Sequence, residues 1–399
     1  MKRVGVYLSL NGEDVRLGAL EFEVLRGKEV SHFEFAQSYL ASPVVRHLDP
    51  DLMMYRGRQF PRLDSGFGLF QDAAPDSWGR RLIRRRAKRL NLQESDYLLG
   101  VFDFTRTGAL RFKLEGQDGF VNADSKNPAP PWTSLRTLEE SSKRFEADDN
   151  DEQALAVLLM PGSSLGGARP KASVTAPDGS LWIAKFPSKE DDIDTGAWEY
   201  LVHELAQAAG LRLPLADMRR FSRNGTTFLC RRFDREGSRR IHFASAMTML
   251  GCEDRQEHGN GTYLDIAAFI MQHGAQPDAD LHELWRRMAF SVMVSNTDDH
   301  LRNHGFVLEN GKWRLSPAYD LNANAKRPGE LSLELEAGVV IDSTAVLMDA
   351  KEYFRLNGAQ AEAELARIRQ AVGKWREVAV RLGIPRHEQE EMALCFARL

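Results

Sequence analysis

The sequence has few cysteines, no long apolar run and no excess of charge of either sign. Its 399 residues include three cysteines, Cys230, Cys252 and Cys395, which lie far apart and form no C-x-x-C pair. This usage excludes a disulfide framework and a cysteine zinc cluster, and it indicates a reducing compartment. With 53 basic and 57 acidic side chains the formal net charge is -4, which excludes a nucleic-acid footprint over the whole chain.

Membrane and secretion signals are also missing. The longest uninterrupted apolar run extends from Ala154 to Met160, well short of the roughly 18 residues that a spanning helix needs. The N-terminus enters a strand pattern at Val4 and lacks the apolar stretch and cleavage site of a signal peptide. We therefore expect a cytoplasmic protein that has no membrane partner.

Hydrophobic periodicity indicates strands early in the chain and helices later. Alternating apolar residues around the Asn11-Gly12 turn predict an N-terminal hairpin, and a helix should begin near Pro75-Asp76-Ser77, with Asp76 or Ser77 as its cap. Residues 113–150 turn polar, contain the Pro128-Ala129-Pro130-Pro131 run, and predict a linker with one short helix. This order favours an α+β fold over a doubly wound parallel sheet.

The helix that follows Pro75 is strongly basic, with seven arginines and lysines between Arg80 and Arg89. A solvated face neutralised by acidic neighbours is one interpretation. A face that binds a partner or phosphate groups is the other, and the sequence leaves both open.

The segment most informative about chemistry follows a helix predicted over Leu281 to Ser295. It contains Asp298 and Asn303, which have the D-x-x-x-x-N spacing of a kinase catalytic loop. In such loops the aspartate orients the substrate hydroxyl or accepts its proton, and the asparagine holds Mg²⁺. Mg²⁺ usually takes a further carboxylate ligand, and Asp320, in a loop after the strand-like stretch Lys312 to Leu315, is the candidate.

A cation for the phosphates is predicted on a hairpin formed by Lys171–Ala176 and Leu181–Phe186. Lys185 shares a strand face with apolar residues, and a lysine on such a face is rarely without a partner. Glu199, on a helix predicted over Gly196 to Ala209, is the candidate partner. The Gly- and Ser-rich stretch before Lys171 matches neither a Walker A motif nor G-x-G-x-x-G. It is either a phosphate cradle, with Lys171 close behind it as a further phosphate-binding residue, or a plain turn.

Taken together, these segments resemble the HipA-like serine/threonine kinases, the toxins of type II toxin–antitoxin pairs. The resemblance extends from about Val4 to about Asn324. It rests on Gly166-Gly167-Ala168-Arg169-Pro170-Lys171, the Lys185 strand, Arg232-Phe233-Asp234-Arg235, Asn296-Thr297-Asp298 through Asn303, Tyr319-Asp320 and, nearer the N-terminus, Pro75-Asp76-Ser77-Trp78-Gly79-Arg80 and Thr107-Gly108-Ala109-Leu110-Arg111-Phe112.

The resemblance implies a bilobed protein-kinase-like fold with an extra N-terminal β-rich subdomain. The expected domains are an N-terminal subdomain at 1–112, a linker at 113–150, a strand-rich kinase N-lobe at 151–232 and a helical C-lobe at 233–399. The implied roles are Asp298 as catalytic aspartate, Asn303 and Asp320 as Mg²⁺ ligands, Lys185 on the ATP phosphates, Arg232 and Phe233 as the adenine hinge, Asp234 near the ribose, and Ser164, or the adjacent Ser163, as an autophosphorylated regulatory serine.

The implied activity is phosphorylation of a protein serine or threonine with ATP and Mg²⁺. By resemblance the substrate is the chain itself and a translation-related protein such as an aminoacyl-tRNA synthetase. The implied partner is a HipB-like helix-turn-helix antitoxin, through which operator DNA is reached indirectly. Three alternatives stay open: a lipid or small-molecule phosphotransferase, because D-x-H-x-x-N also occurs in phosphoinositide-type kinases; a pseudokinase acting as an antitoxin-bound co-repressor; and a metal hydrolase built on His300 and His304.

Overall fold

The computed structural model describes residues 2–88, 91–123, 129–159, 169–253, 261–325 and 331–397. The chain divides into two compact units. The N-terminal unit contains Met1–Lys189 and Arg231–Ala244, and the C-terminal unit contains Glu190–Cys230 and Ser245–Leu399. Strands and helices occur in both units, as expected for the α+β class. The domain ends predicted at 112, 150 and 232 stay predictions.

Strands and helices are interspersed along the described residues. The strands are β1 (Lys2–Leu10), β2 (Glu13–Leu25), β3 (Lys28–Phe35), β4 (Leu110–Leu114), β5 (Lys171–Thr175), β6 (Leu181–Lys185), β7 (Ala216–Ser222), β8 (Gly225–Arg231), β9 (Arg235–Glu236), β10 (Arg239–Arg240), β11 (Phe243–Ser245), β12 (Gly305–Glu309) and β13 (Lys312–Leu315). The α-helices are α1 (Gln37–Ala41), α2 (Gly68–Gln71), α3 (Ser77–Ala87), α4 (Glu94–Gly100), α5 (Leu135–Ala147), α6 (Glu152–Leu159), α7 (Thr195–Ala208), α8 (Ala246–Leu250), α9 (Tyr263–His273), α10 (Pro277–Val294), α11 (Thr344–Ala350), α12 (Gly358–Val372), α13 (Trp375–Arg381) and α14 (Arg386–Glu391).

The N-terminal unit begins with an antiparallel sheet of strand order β3-β2-β1-β4. The Asn11-Gly12 turn joins β1 to β2 with φ angles of 52° and 86°, which this residue pair adopts readily. Val4, Val6 and Leu8 of β1 are fully buried, in the period-two pattern of a strand with one face on a core. The predicted N-terminal hairpin is therefore confirmed.

The described part of the predicted linker, residues 113–123 and 129–150, packs within the N-terminal unit. Its predicted helix is α5, which buries Leu135, Leu138 and Phe145. The ring of Phe145 meets the Trp78 ring of α3 edge-on, at 5.6 Å between centroids. Much of the polar composition of this segment belongs to the solvent-facing side of α5.

The β5–β6 hairpin, also in the N-terminal unit, has the antiparallel register that the sequence predicted. It turns at residues 177–179, where the Asp178 carboxylate accepts a hydrogen bond from the main-chain nitrogen of Ser180 at 2.9 Å. Gly179 has φ 82°, a left-handed conformation that glycine adopts without strain. Local turn chemistry is enough to specify this element.

A long helix, α10, forms the core of the C-terminal unit and packs against α9, α11 and α12. Most of its residues from Asp280 to Val294 are buried. It begins at Pro277 rather than at the predicted Leu281, because proline is favoured at the first helical position. It ends where Ser295 turns into the left-handed region with φ 52°.

Helix α7 is held against the β7–β8 hairpin by a close backbone approach at its first turn. A Cβ atom on Gly196 would lie 1.9 Å from the main-chain oxygen of Thr226, so only glycine fits there. The Asp194 carboxylate caps the helix by accepting from Ala197 N at 3.3 Å, and it also accepts from Thr226 N at 2.8 Å. The predicted helix at Gly196 to Ala209 is confirmed within one residue at each end.

Two of the sequence-based exclusions can be compared with the structure. All three cysteines lie in the described part of the chain, and none of them forms a disulfide. Among the helices of the described residues, none combines the length and the apolar character needed to cross a bilayer.

Candidate active site

The loop that follows α10 carries two of the predicted site residues, Asp298 and Asn303. Asn303 Nδ2 donates a hydrogen bond to the main-chain oxygen of Asp298 at 3.0 Å, and Asn303 N donates to His300 O at 2.8 Å. Asp298 is exposed, whereas Asn303 is buried. Because the side-chain nitrogen Nδ2 of Asn303 donates within the loop, Oδ1 is the side-chain atom suited to bind a hard cation.

Asp320 lies in a segment that is hydrogen-bonded to the same loop. Asn322 N donates to Asn296 Oδ1 at 3.4 Å, and Asn322 Nδ2 donates to Asp320 Oδ1 at 3.3 Å. The C-terminal unit therefore brings the segment of Asp320 against the loop of Asp298 and Asn303. These oxygen donors are the kind that Mg²⁺ prefers, so the residues present fit this ion.

The backbone of Asp320 is in an uncommon conformation. Its φ angle is 58°, in the left-handed region that costs a non-glycine residue of order 1 kcal/mol and that aspartate and asparagine enter more readily than most. Next to it, Tyr319 Oη donates to Arg302 O at 2.7 Å, a second link to the loop. Backbone strain of this kind is concentrated at functional sites, where the surrounding structure imposes it.

Buried polar contacts of α10 hold the strand that leads to Asp320. Asp280, which is fully buried, accepts from Leu315 N at 3.0 Å. About two helical turns further along α10, Arg287 Nη2 donates to Ser316 O at 2.6 Å. Since α10 leads into the Asp298 loop and β13 leads to Asp320, these contacts set the two segments relative to each other.

The carboxylate next to Asp298 points into the core. Asp299 is 2% exposed, and its two oxygens accept from Tyr263 Oη and from His304 Nε2, the latter at 2.9 Å. Burial would raise the pKa of Asp299, but His304 and the two hydrogen bonds outweigh burial and lower it. Sequence reasoning missed Tyr263, because it lies 36 residues from Asp299 and no spacing links the two.

The histidine pair considered for a metal hydrolase is separated by its environment. His300 is exposed, whereas His304 is buried with Nε2 directed at Asp299. These contacts give the metal-hydrolase interpretation no support, because they do not turn two imidazoles towards one ion.

Lys171 and Lys185 face each other across the β5–β6 hairpin in the N-terminal unit. Lys185 is half-buried at the end of β6. Lys171 is buried, and its Nζ lies 2.9 Å from Oδ2 of Asp76, whose other oxygen caps α3 by accepting from Gly79 N at 2.7 Å. The predicted cap at Asp76 is confirmed. The ammonium of Lys171 is used inside this unit, and its predicted contact with phosphate stays a prediction.

The side chains of the Arg232–Arg235 motif are bonded to protein groups of the N-terminal unit. Asp234 is 3% exposed and accepts from Arg232, from Arg235 at 2.8 Å and from Gly108 N at 2.8 Å. Burial would raise the pKa of Asp234, but the two arginines hold it far below its ordinary value. Arg232 Nη1 also donates to Thr105 O at 2.6 Å. The predicted adenine and ribose contacts stay predictions, and these bonds give the Thr107–Phe112 segment a structural role.

The described part of the basic helix α3 is largely paired with acidic groups. Arg80 binds Glu94 through both terminal nitrogens, and Arg84 Nε donates to Tyr97 Oη at 3.3 Å. The remaining ion pairs are Arg81 with Asp149, Arg85 with Asp149, and Lys88 with Glu152. These contacts favour the neutralised face over a phosphate-binding face.

The other predicted site residues lie on α7, beside β11 and in the Gly-rich stretch. Glu199 is buried on α7. Phe233 is half-buried, and its ring lies 5.8 Å from the Phe243 ring. Ser164 and Ser163, with the Gly-Gly pair that follows them, lie outside the described residues.

Comparison with known families accounts for the order of these motifs. The HipA-like C-terminal domain matches residues 163–384, which is more than half of the chain. The chain belongs to the HipA-like family. The matched range includes Asp298, Asn303 and Asp320, and the family resemblance drawn from the sequence is confirmed.

Two curated relatives of the HipA-like chain come from Sinorhizobium fredii strain NBRC 101917 / NGR234. They are provisionally named kinases Y4dM and Y4mE, and both are 27% identical, over 191 and 211 residues. These stretches cover 45% and 47% of this chain but only 42% and 48% of the relatives. The chain therefore spans about half the length of the curated relatives that it matches.

Among solved structures, HipA of Shewanella oneidensis MR-1 is similar along nearly its whole length. It was determined with HipB and its operator DNA, and the TM-score is 0.71 with 15% sequence identity. The match covers 99% of the HipA-like chain and 96% of the Shewanella protein. The fold is therefore that of HipA, as the resemblance implied.

Proposed function

We propose that this HipA-like chain is a kinase that uses ATP and Mg²⁺ to phosphorylate a serine or threonine of a protein. The observation that carries the proposal is the joining of two segments in the C-terminal unit, one with Asp298 and Asn303 and the other with Asp320. Asp298 is exposed and does not share the burial of its neighbour Asp299. The names of the two curated relatives point in the same direction.

The proposed roles follow from the chemistry of each group. Asp298 orients the acceptor hydroxyl or takes its proton, while Asn303 Oδ1 and the Asp320 carboxylate hold Mg²⁺. Bound ATP would supply the phosphoryl group, with Mg²⁺ offsetting its negative charge. The assignment of Lys185 to the phosphates, and of Glu199 as the partner of Lys185, stays a prediction from the sequence.

Further roles are proposed for the Arg232–Asp234 segment, for Lys171 and for Ser164. Phe233 and the main chain of Arg232 form the adenine hinge, and Asp234 lies near the ribose. The side chains of Arg232 and Asp234 are bonded to each other, and Asp234 also accepts from Gly108 N. Lys171 is paired with Asp76 at the start of α3, and its contact with the phosphates stays a prediction. Ser164 is the regulatory autophosphorylation site, where an added dianion would compete for the cations that bind ATP.

The proposed partner is a helix-turn-helix antitoxin that restrains the kinase and binds operator DNA. The support is the similarity in fold to Shewanella HipA, which was solved with HipB and operator DNA. Direct DNA binding through α3 is not part of the proposal, because the cations of its described residues are mostly paired. The proposed substrate is a translation-related protein such as an aminoacyl-tRNA synthetase.

The proposal is tested by incubating the purified chain with ATP labelled at the γ-phosphate, Mg²⁺ and a library of serine and threonine peptides. Wild type should transfer label to peptides and to itself. Asp298→Asn should lower transfer at least about a hundredfold, which is the usual scale for removing a catalytic acid or base. Asp349→Asn is the matched control, since this exposed carboxylate lies on α11 of the same unit and should leave transfer unchanged.

Other results would separate the alternatives. Transfer to lipids or small hydroxyl compounds but not to peptides would replace the protein-kinase proposal with a different phosphotransferase. A chain that binds the antitoxin but transfers no phosphate to any acceptor would support the co-repressor interpretation instead. Self-labelling that persists in Ser164→Ala would move the autophosphorylation site elsewhere.

A further inference from the structure

Residues 298 to 300 alternate between exposed and buried side chains. Asp298 is exposed, Asp299 is 2% exposed and His300 is exposed again. Two adjacent carboxylates therefore point to opposite sides of the loop. Taking a carboxylate out of water costs several kcal/mol unless it is paired and hydrogen-bonded, so Asp299 must be compensated by its partners.

The compensation comes from two other segments of the C-terminal unit. Tyr263, the first residue of α9, donates its hydroxyl hydrogen to one carboxylate oxygen of Asp299, and His304 Nε2 lies 2.9 Å from the other. The rings of Tyr263 and His304 also meet at 75°, with 5.3 Å between centroids. Both oxygens are thus held, and the carboxylate has a single orientation.

The two residues of the Asp299–His304 contact are direct chain neighbours of the two functional residues of the loop. Asp299 directly follows Asp298, and His304 directly follows Asn303. The bond between Asp299 and His304 therefore closes the loop at both functional residues and fixes the distance between them. His304 is itself anchored, because its main-chain oxygen accepts from Ala246 N at 2.8 Å.

We propose that Asp299 is a positioning residue which, with Tyr263 and His304, holds Asp298 and Asn303 in their working geometry. This inference rests on the proposed kinase function. Asp299 does not touch substrate or metal, and it acts only through the shape of the loop. A misplacement of about 1 Å is enough to cost a reaction of this kind as much as a hundredfold in rate.

The test removes, one at a time, the side-chain groups that donate to Asp299. Tyr263→Phe deletes one hydroxyl, and His304→Leu deletes the imidazole donor. His304→Gln keeps an N–H donor near the position of Nε2 and is the rescue variant. Tyr39→Phe is the matched control, since this tyrosine of the N-terminal unit is also buried and its hydroxyl donates to Val45 O at 2.7 Å.

The readouts are kcat, the KM for ATP, the Mg²⁺ concentration for half-maximal activity, the urea midpoint, and deuterium exchange of the amides of residues 296–304. Tyr263→Phe and His304→Leu should lower kcat roughly tenfold or more and raise the Mg²⁺ requirement, because Asn303 moves with the loop. The amides of residues 296–304 should exchange faster. Tyr39→Phe should change only the urea midpoint, and His304→Gln should recover part of kcat.

The outcomes distinguish this inference from the function on which it depends. An active wild type whose Tyr263→Phe and His304→Leu variants keep its kcat, Mg²⁺ requirement and exchange would refute the positioning role alone. The positioning role would also be refuted if Tyr263→Phe and Tyr39→Phe had the same urea midpoint and Tyr263→Phe lowered kcat no more than Tyr39→Phe does. A wild type that transfers no phosphate would refute the proposed function, and the positioning role with it, whatever the exchange data show.

Discussion

At the residue scale, buried carboxylates are held by more donors than a single ion pair provides. Asp234 accepts from two arginines and from Gly108 N, and Asp299 accepts from Tyr263 and His304. In each case burial alone would raise the pKa, and the partners reverse the direction. Such residues stay ionised in the core because several donors replace the lost water.

A buried histidine near the Asp234 cluster predicts a dependence of stability on pH. Burial lowers the pKa of His242 from 6.5 to about 4. Between those values the unfolded chain binds the proton more strongly, so stability rises with pH over this window and is lost as pH falls through it. The shift corresponds to roughly 3 kcal/mol of unfolding free energy between pH 6.5 and pH 4.

We expect His242→Gln to remove this contribution. Urea unfolding at pH 4 and pH 6.5 should show a smaller difference in free energy for the variant than for wild type, by roughly 3 kcal/mol. Comparing the two pH values within one variant cancels any packing cost of the substitution itself. Equal differences in the two proteins would contradict the prediction.

At the element scale, α3 and the β5–β6 hairpin are joined by a buried ion pair. The side chains of Asp76 and Lys171 are each 2% exposed, and their closest atoms are 2.9 Å apart. Burial nevertheless raises the pKa of Asp76, so desolvation outweighs the attraction of Lys171. The pair therefore specifies how the elements meet more than it stabilises them.

The expected signature is strong coupling between the two positions. Lys171→Met leaves a buried carboxylate without its cation and should destabilise the protein by about 3 to 5 kcal/mol. Asp76→Asn combined with Lys171→Met should cost much less than the sum of the single substitutions, because no unpaired charge remains. Asparagine keeps the side-chain oxygen that caps α3.

A double-mutant cycle of urea unfolding measures this coupling. Asp76→Ala removes both the charge and the oxygen that accepts from Gly79 N, so its difference from Asp76→Asn gives the cost of the lost cap bond. If the changes in unfolding free energy of the two single substitutions add up to that of the double substitution, the buried ion pair does not have the desolvation cost assigned to it.

At the scale of the whole molecule, the N-terminal unit is built from two stretches of chain. Residues 231–244 return to it after residues 190–230 have entered the C-terminal unit. The returning stretch supplies Asp234, which holds Gly108, and Arg240, whose Nη2 donates to Asp103 O at 2.6 Å. The early part of the chain therefore depends on groups encoded more than a hundred residues later.

The prediction compares a fragment of residues 1–189 with the same fragment joined to residues 231–244 by a flexible Gly/Ser linker. We expect the shorter fragment to unfold at a lower urea midpoint, or without a cooperative transition. The reason is that the shorter fragment leaves the amide of Gly108 and the carbonyls around Thr105 without their buried partners. Tryptophan fluorescence during urea titration provides the measurement. Identical midpoints for the two fragments would show that the returning stretch is dispensable.

Elements whose signals are local could be predicted from the amino-acid sequence alone. The Asn11-Gly12 turn, the cap at Asp76, the β5–β6 hairpin and the α10 helix all follow from turn chemistry, capping and apolar periodicity. The family could also be recognised from the sequence, because the order of its motifs and spacings within them, such as that between Asp298 and Asn303, are properties of the linear chain. These signals lie within one element or one loop, so no knowledge of the fold is needed to recognise them.

The pairing of polar groups in the core became known only from the folded chain. The bonds of Tyr263 with Asp299, Lys171 with Asp76 and Gly108 with Asp234 join residues 36, 95 and 126 positions apart. Packing, rather than periodicity, selects such partners, because any buried charge accepts whichever donors the folded chain brings to it. For the same reason Lys171 and Asp234, which the sequence suggested for nucleotide contacts, have their side chains bonded to protein groups.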